Sequence, residues 1–183
     1  QGDMFITCAT IAQSYLLLIT SSMIGISGGT QAILSYNYGA RRADRVKDAE
    51  RNILGVMLIF TTIMFLLSRL VPRYFVLLFT SDPQYISFSV WAIHTYTLMI
   101  IPLSFQYVFV DGLTALDRPK TGLALSVTRK SLFVLSAAIL PVFFDAKAAF
   151  FAEPVADGVC SVLSTVVFLL LINRHLQKRC QTV

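Results

Sequence analysis

The sequence predicts an all-α, polytopic bundle of membrane-spanning helices. Three observations carry that prediction. Hydrophobic residues make up 56% of the 183-residue chain and charged residues only 14%, where a soluble domain carries roughly a quarter; the mean hydropathy is +0.70. The few charges are gathered between long apolar runs. No segment alternates with period two, which argues against a membrane β-barrel.

Five spans follow, at about 4–38, 50–71, 87–113, 121–144 and 149–172. The first is free of charge between Asp3 and Arg41, more than the roughly 20 residues a crossing helix needs. Its inner end is the most telling stretch, SGGTQAILSYNYGARRADRVKDAER over 27–51. Gly25, Gly28 and Gly29 are small enough for close helix approach, and Gly25 and Gly29 form a GxxxG pair expected to pack against another helix. Tyr36 and Tyr38 suit the headgroup layer, Gly39 ends the run, and Arg41, Arg42, Arg45, Lys47 and Arg51 mark a cytoplasmic junction. Pro72 closes the second span, and FTSDPQY reads as a turn because Ser-Asp-Pro favours turn initiation. The third is uncharged up to Asp111 and contains Pro102; the fourth carries Arg129 and Lys130 near its start; the fifth carries Glu153 and Asp157 in its first half. Trp91 and the tyrosines near span ends are expected at the membrane interface.

Charge counting orients the bundle. With the 41–51 loop inside, twelve of the fifteen Lys and Arg residues fall on inside segments, and only Arg69, Arg73 and Lys147 fall outside. Residue 1 is then external and residue 183 cytoplasmic. A chain that begins outside without an initiator Met or a signal segment is expected to follow further spans. The basic end NRHLQKRCQTV fits a natural C-terminus.

The same features exclude other classes. A net charge of +5 and a pI near 9.3 do not point to nucleic acid, because the basic residues sit between apolar spans. Cys8, Cys160 and Cys180 are far apart, with no CxxC, so neither a disulfide framework nor a zinc site is indicated. There is no HExxH, GxSxG, P-loop or dinucleotide glycine motif, so no enzyme, metal or cofactor is expected. His94 and His175 fall at opposite ends of the bundle. Energy for pumping must then come from an ion gradient or another subunit.

Polar residues inside the spans are the functional candidates, since intramembrane ionisable groups cost a few kcal/mol and face a bundle interior or a water path. Thr97, Ser104 and Asp111 are spaced seven apart, hence one face of the third span, with His94 a turn from Thr97 and Gln106 in the same segment. Pro102 deprives the Leu98 carbonyl of its partner, which kinks the helix or opens a cavity. Glu153, Asp157, Ser161 and Ser164 make a second polar face, with Glu153 expected at the outer boundary, complementing the helix dipole. Arg129 lies one turn from Ser126, and Gln31 with Ser35 lies near the inner end of the first span. Asp157 and Asp111 rank first. Asp111 is either solvated at the inner interface or paired with Arg118 or Arg129, and Asp157 bonds a neighbouring helix or cavity water.

At this point the motifs resemble a known family. GGTQAILSYNYGARRADRV is similar to the G-x-Q-P-I-x-x-Y-N-Y-G-A signature in the eighth of twelve helices of multidrug and toxic compound extrusion (MATE) transporters. PLSFQYVFVDGLTALDRPKTGLALSVTRKSLFVLSAAILP resembles their tenth and eleventh helices, and AEPVADGVCSVLSTV the A-x-P-I-A-D opening of the twelfth. Ala32 stands where proline is usual. The resemblance implies helices eight to twelve, most of a C-terminal lobe, whose partners are membrane lipid and an absent N-terminal lobe and helix seven. It implies an antiporter of the cytoplasmic membrane, driven by Na⁺ or H⁺, that exports small cationic lipophilic solutes. A lipid-linked-sugar flippase of the same superfamily is the alternative, and a non-transporting membrane piece a third reading. In some subgroups the cation site joins carboxylates on helices seven and ten; Ser104 lies near where the second would fall.

Overall fold

The computed structural model describes residues 2–180, with side chains described over 2–172. It is all-helical, with no strand among the described residues. The helices are α1 (Gly2–Gly39), α2 (Ala43–Leu70), α3 (Pro72–Val76), α4 (Pro83–Tyr96), α5 (Ile100–Ala115), α6 (Pro119–Phe143) and α7 (Ala152–Cys180). A 3₁₀ segment, Ala146–Phe151, precedes α7. Four of the helices are long and apolar enough to cross a membrane alone, and α4 with α5 makes a fifth, bent crossing.

Local chemistry sets the boundaries. Proline opens α3, α4 and α6, where its missing N–H costs nothing and its fixed φ suits the first turn. The Asp82 side chain caps α4 by accepting from the Gln84 amide at 2.8 Å, so FTSDPQY is indeed a turn. α1 ends at Gly39, and the tight connections that follow α1 and α5 place Arg41 (φ 59°) and Asp117 (φ 63°) in the left-handed region.

The expected third span is broken. α4 and α5 meet at 47° across residues 97–99. The Pro102 ring cannot donate to the Leu98 carbonyl and crowds it, so the break falls one turn before the proline.

Each helix buries one stripe. In α1 the buried positions Cys8, Ala12, Tyr15, Ile19, Met23 and Ser27 recur every three or four residues, as do Val46, Glu50, Ile53, Met57 and Thr61 in α2. α5 is central, touching α1, α2, α6 and α7. Outward faces are apolar: Leu70 is 77% exposed and Val142 78%, while Glu50, Ser104, Gln106, Arg129 and Asp157 are buried. A bundle with its oils outside and its charges inside is built for a lipid surround.

One expectation is corrected here. Gly25, Gly28 and Gly29 face away from the other helices, and a Cβ at any of them would meet nothing within 4 Å; they do not pack helices within this chain. The small residues that do so are on α5 and α6. A Cβ on Gly122 would fall 2.9 Å from Thr114 Oγ1 and 3.1 Å from the Val110 carbonyl oxygen. Gly122→Val should therefore destabilise the α5/α6 contact by about 1–3 kcal/mol through overpacking, read as a lower unfolding temperature of the full-length protein; an unchanged value would show the contact to be slack.

Trp91 also packs inward. It is half-buried in an aromatic cluster around Phe150, which is 4% exposed. The Phe150 ring lies 5.5 Å from Trp91, 5.4 Å from Phe88 and 5.7 Å from Tyr96. The 3₁₀ segment is thus tucked into the bundle rather than lying wholly outside it. The end NRHLQKRCQTV lies outside the residues whose side chains are described.

Candidate functional site

The site is built where α5, α6 and α7 meet. α7 carries its polar face inward: Glu153, Asp157, Ser161 and Ser164 are each no more than 3% exposed. A period near four places them on one side of the helix, and the lipid-facing side takes Val155, Val159, Val162 and Val166. Arg129, on α6 and 8% exposed, answers them. Its Nε donates to Asp157 Oδ1 at 2.6 Å and its Nη2 to Glu153 Oε1 at 3.4 Å. The Tyr107 ring of α5 lies 5.9 Å from the guanidinium and completes its surround.

Such a network balances desolvation against short-range attraction. Two carboxylates and one guanidinium leave one negative charge, and Asp157 Oδ2 has no hydrogen-bond partner. Asp157 thus takes the hydrogen bond to a neighbouring helix that its sequence position suggested. Glu153 is corrected: it stands in the first turn of α7 but is buried and paired rather than placed at a membrane boundary. The inward tuck of the 3₁₀ segment explains this. About 21 Å of helix separates Arg129 from the end of α6 at Phe143, and only a chain that folds back into the bundle brings Glu153 to it.

Beside the network opens a cavity of about 250 Å³ between α1, α5 and α6. Gln106, Tyr107, Asp111, Ser126, Arg129 and Lys130 line it, with Ile24 and Val110. Gln106 is 4% exposed and its Oε1 has no partner. Asp111 accepts from Gln31 Nε2 of α1 at 3.0 Å, so its partner is neither Arg118 nor Arg129. Ser35 donates to the Ala115 carbonyl at 3.3 Å nearby.

The other candidates fall elsewhere. Thr97, Ser104 and Asp111 do not share a site: the bend at 97–99 separates Thr97 from the other two, and on α5 Ser104 lies roughly 10 Å along the helix from Asp111. Thr97 donates to Ser68 Oγ of α2 at 3.0 Å, and Ser104 turns back to the Ile101 carbonyl at 2.6 Å; neither lines the cavity. His94 sits beside Ser68 and Arg69, away from it. Among the described residues no group of three or more His, Cys, Asp or Glu side chains converges as metal ligands, and Cys8 and Cys160 are buried free thiols.

Sequence reasoning missed Glu50. It stands at the edge of the second expected span but lies well inside α2, where it is 5% exposed. The signal was present: Glu50 falls on the same stripe as Val46, Ile53 and Met57. Five basic residues around it masked that period.

A bundle with apolar outward faces, a buried charge network and a cavity lined by both polar and apolar side chains has the build of a membrane transporter. The chain belongs to the MatE family, whose sequence model matches residues 2–140. It is 26% identical over 136 residues to a FAD transporter of Shewanella oneidensis, a match covering 74% of this chain and 29% of that one. Its fold is that of a crystal structure of MATE in the bent conformation, with a TM-score of 0.90 at 14% identity over 99% of this chain and 40% of the other. It is also that of an inward-facing multidrug resistance MATE family transporter of the MOP superfamily, with a TM-score of 0.85 at 15% identity over 94% and 40%. The chain thus spans well under half the length of the proteins it resembles.

Proposed function

We propose that the chain is the part spanning helices eight to twelve of the C-terminal lobe of an exporter. That exporter moves small organic solutes out across the cytoplasmic membrane by alternating access, driven by Na⁺ or H⁺. The cavity between α1, α5 and α6 carries this reading. An amide and a carboxylate, Gln106 and Asp111, face it beside the apolar Ile24, Val110 and the Tyr107 ring, a combination suited to a cationic lipophilic solute. Arg129 is engaged by Asp157 and Glu153, which leaves Asp111 as the carboxylate on that wall.

A second substrate reading rests on Lys130, which lines the same cavity, and on the relative named for FAD: a planar, anionic solute held by the lysine and stacked on Tyr107. Reconstituted full-length protein, given an inward Na⁺ or proton gradient, should expel a fluorescent lipophilic cation; selective expulsion of FAD would favour the second reading. Expulsion of neither overturns both. The 183 residues alone should transport nothing, because alternating access needs two bundles rocking about a central site. Efflux from vesicles holding only this piece would refute that.

The proposed orientation puts the 41–51 segment, which joins α1 to the first turns of α2, and the 117–120 loop in the cytoplasm, and the 81–85 and 145–148 segments outside. Single cysteines at Ser81 and Lys120, both exposed, should label from opposite faces of the membrane. Labelling from one face alone would sink the orientation.

A further inference from the structure

We propose that the Lys130 ammonium forms an ion pair, near the middle of the bilayer, with a carboxylate on a helix of the full-length protein outside these 183 residues. The pairing rests on the reading of the chain as part of a larger exporter and deepens the cationic reading of its cavity. The need for a partner stands on where α6 puts the charge.

α6 runs from Pro119 to Phe143, and Lys130 lies about 16 Å from its start and about 20 Å from its end. The hydrocarbon layer is about 30 Å thick, so this lysine belongs to its centre. The side chain reaches about one helical turn, too short a distance to bring the ammonium to either headgroup layer. A charge at that depth requires a water-filled path or a counter-charge.

No described residue supplies the counter-charge. Arg129 is buried and turned toward α7; the next residue of a helix points about 100° away, and Lys130 is exposed. Asp157 feels the charge of Lys130, yet its Oδ1 takes a hydrogen bond from Arg129 and its Oδ2 has no donor, so the ammonium does not reach it. Glu153 is paired with Arg129, and Asp111 accepts from Gln31. Glu50 of α2 rests against Gly112 of α5, and its Oε1 has no donor either.

The surroundings of Lys130 point to a covering helix. It lines both the solute cavity and a groove of about 700 Å³ along α6. Ser126, Val127, Ser131, Val134 and Leu135 line that groove, and small polar side chains among branched apolar ones suit helix packing in lipid. Gly122, Leu125 and Arg129 alone of α6 are fully buried, and this chain corresponds to 40% of each structural relative, so most of the protein is available to cover the rest. The sign of the partner follows from the solute. A cavity that takes a cation cannot keep a bare ammonium on its wall, because like charges repel. A carboxylate on the covering helix removes that repulsion and leaves Asp111 to act on the solute.

The test uses purified wild-type full-length protein, so no variant has to fold. Dicyclohexylcarbodiimide, an apolar reagent, activates buried carboxyls, and an amine in contact captures them as an amide. Mass spectrometry should find Lys130 joined to an Asp or Glu outside these residues. A link to Asp111, Glu153 or Asp157 instead, or no link at Lys130, overturns the proposal. So does a Lys130 amine that a small water-soluble acylating reagent modifies as readily as the exposed Lys120, since it would then lie in an open water path. The identified partner gives a second check. Lys130→Glu should lower yield severalfold, and changing the partner to Lys in the same protein should restore it; a double variant no better than the single one overturns the pairing. None of these readouts is efflux, so a protein that shows the link and moves no solute overturns the transport reading and leaves the ion pair standing.

Discussion

Arg129→Leu is expected to be the most damaging single substitution in the chain, costing about 3–5 kcal/mol. The guanidinium bridges Asp157 at 2.6 Å and Glu153 at 3.4 Å, and all three residues are buried. Removing it strands two buried carboxylates without the cation that bridges them. The full-length protein should lose most of its yield and unfold at lower temperature. The triple substitution Arg129→Leu, Glu153→Gln, Asp157→Leu should recover much of that loss, since an apolar replacement of a whole buried network is close to neutral. If Arg129→Leu is as stable as the wild type, the network contributes nothing to folding. If the triple variant is no better than the single one, the leucine itself is the problem and the charges are not.

Asp157→Asn is expected to act on transport before it acts on folding. Asparagine keeps the size and one acceptor for Arg129 Nε, and Glu153 still balances the guanidinium. What disappears is the charge. A hydrogen bond to a charged group contributes about 1.5–3 kcal/mol; if it is made in only one of the alternating conformations, its loss shifts their ratio roughly ten- to hundredfold. Gradient-driven efflux by the full-length protein should fall accordingly at near-normal yield, while Asp157→Ala, which also takes away the acceptor of Arg129 Nε, should lower yield as well. Intact efflux in Asp157→Asn combined with poor yield in Asp157→Ala would make the residue a structural tie between α6 and α7 and nothing more.

The positions that could be read in advance share a physical reason. Gly39, Pro72 and Ser81-Asp82-Pro83 act on their own backbone, so the ends of α1 and α2 and the start of α4 followed from local chemistry. The α7 face of Glu153, Asp157, Ser161 and Ser164 was legible because four polar residues in one period stand out from an apolar background. Glu50 was not, because charge density along the chain looks the same whether a residue faces solvent or a neighbouring helix. Depth had the same difficulty: nothing local to 144–152 tells that this linker turns back into the bundle, and that turn is what moves Glu153 from a boundary to the core.

The sequence by itself determined the order of the apolar helices, Pro102 as the place where the third span loses a backbone hydrogen bond, and which helix carries Arg129, Glu153 and Asp157, since these depend on hydropathy and on backbone chemistry confined to a few neighbouring residues. Only the tertiary structure decided the partners: Arg129 with Asp157 and Glu153, Asp111 with Gln31, Glu50 against Gly112, and Gly25 and Gly29 against no helix of the chain. Those pairings join residues from 24 to 80 positions apart in the chain. They are set by how helix faces rotate and tilt to satisfy buried polar groups together, a condition that no single segment contains.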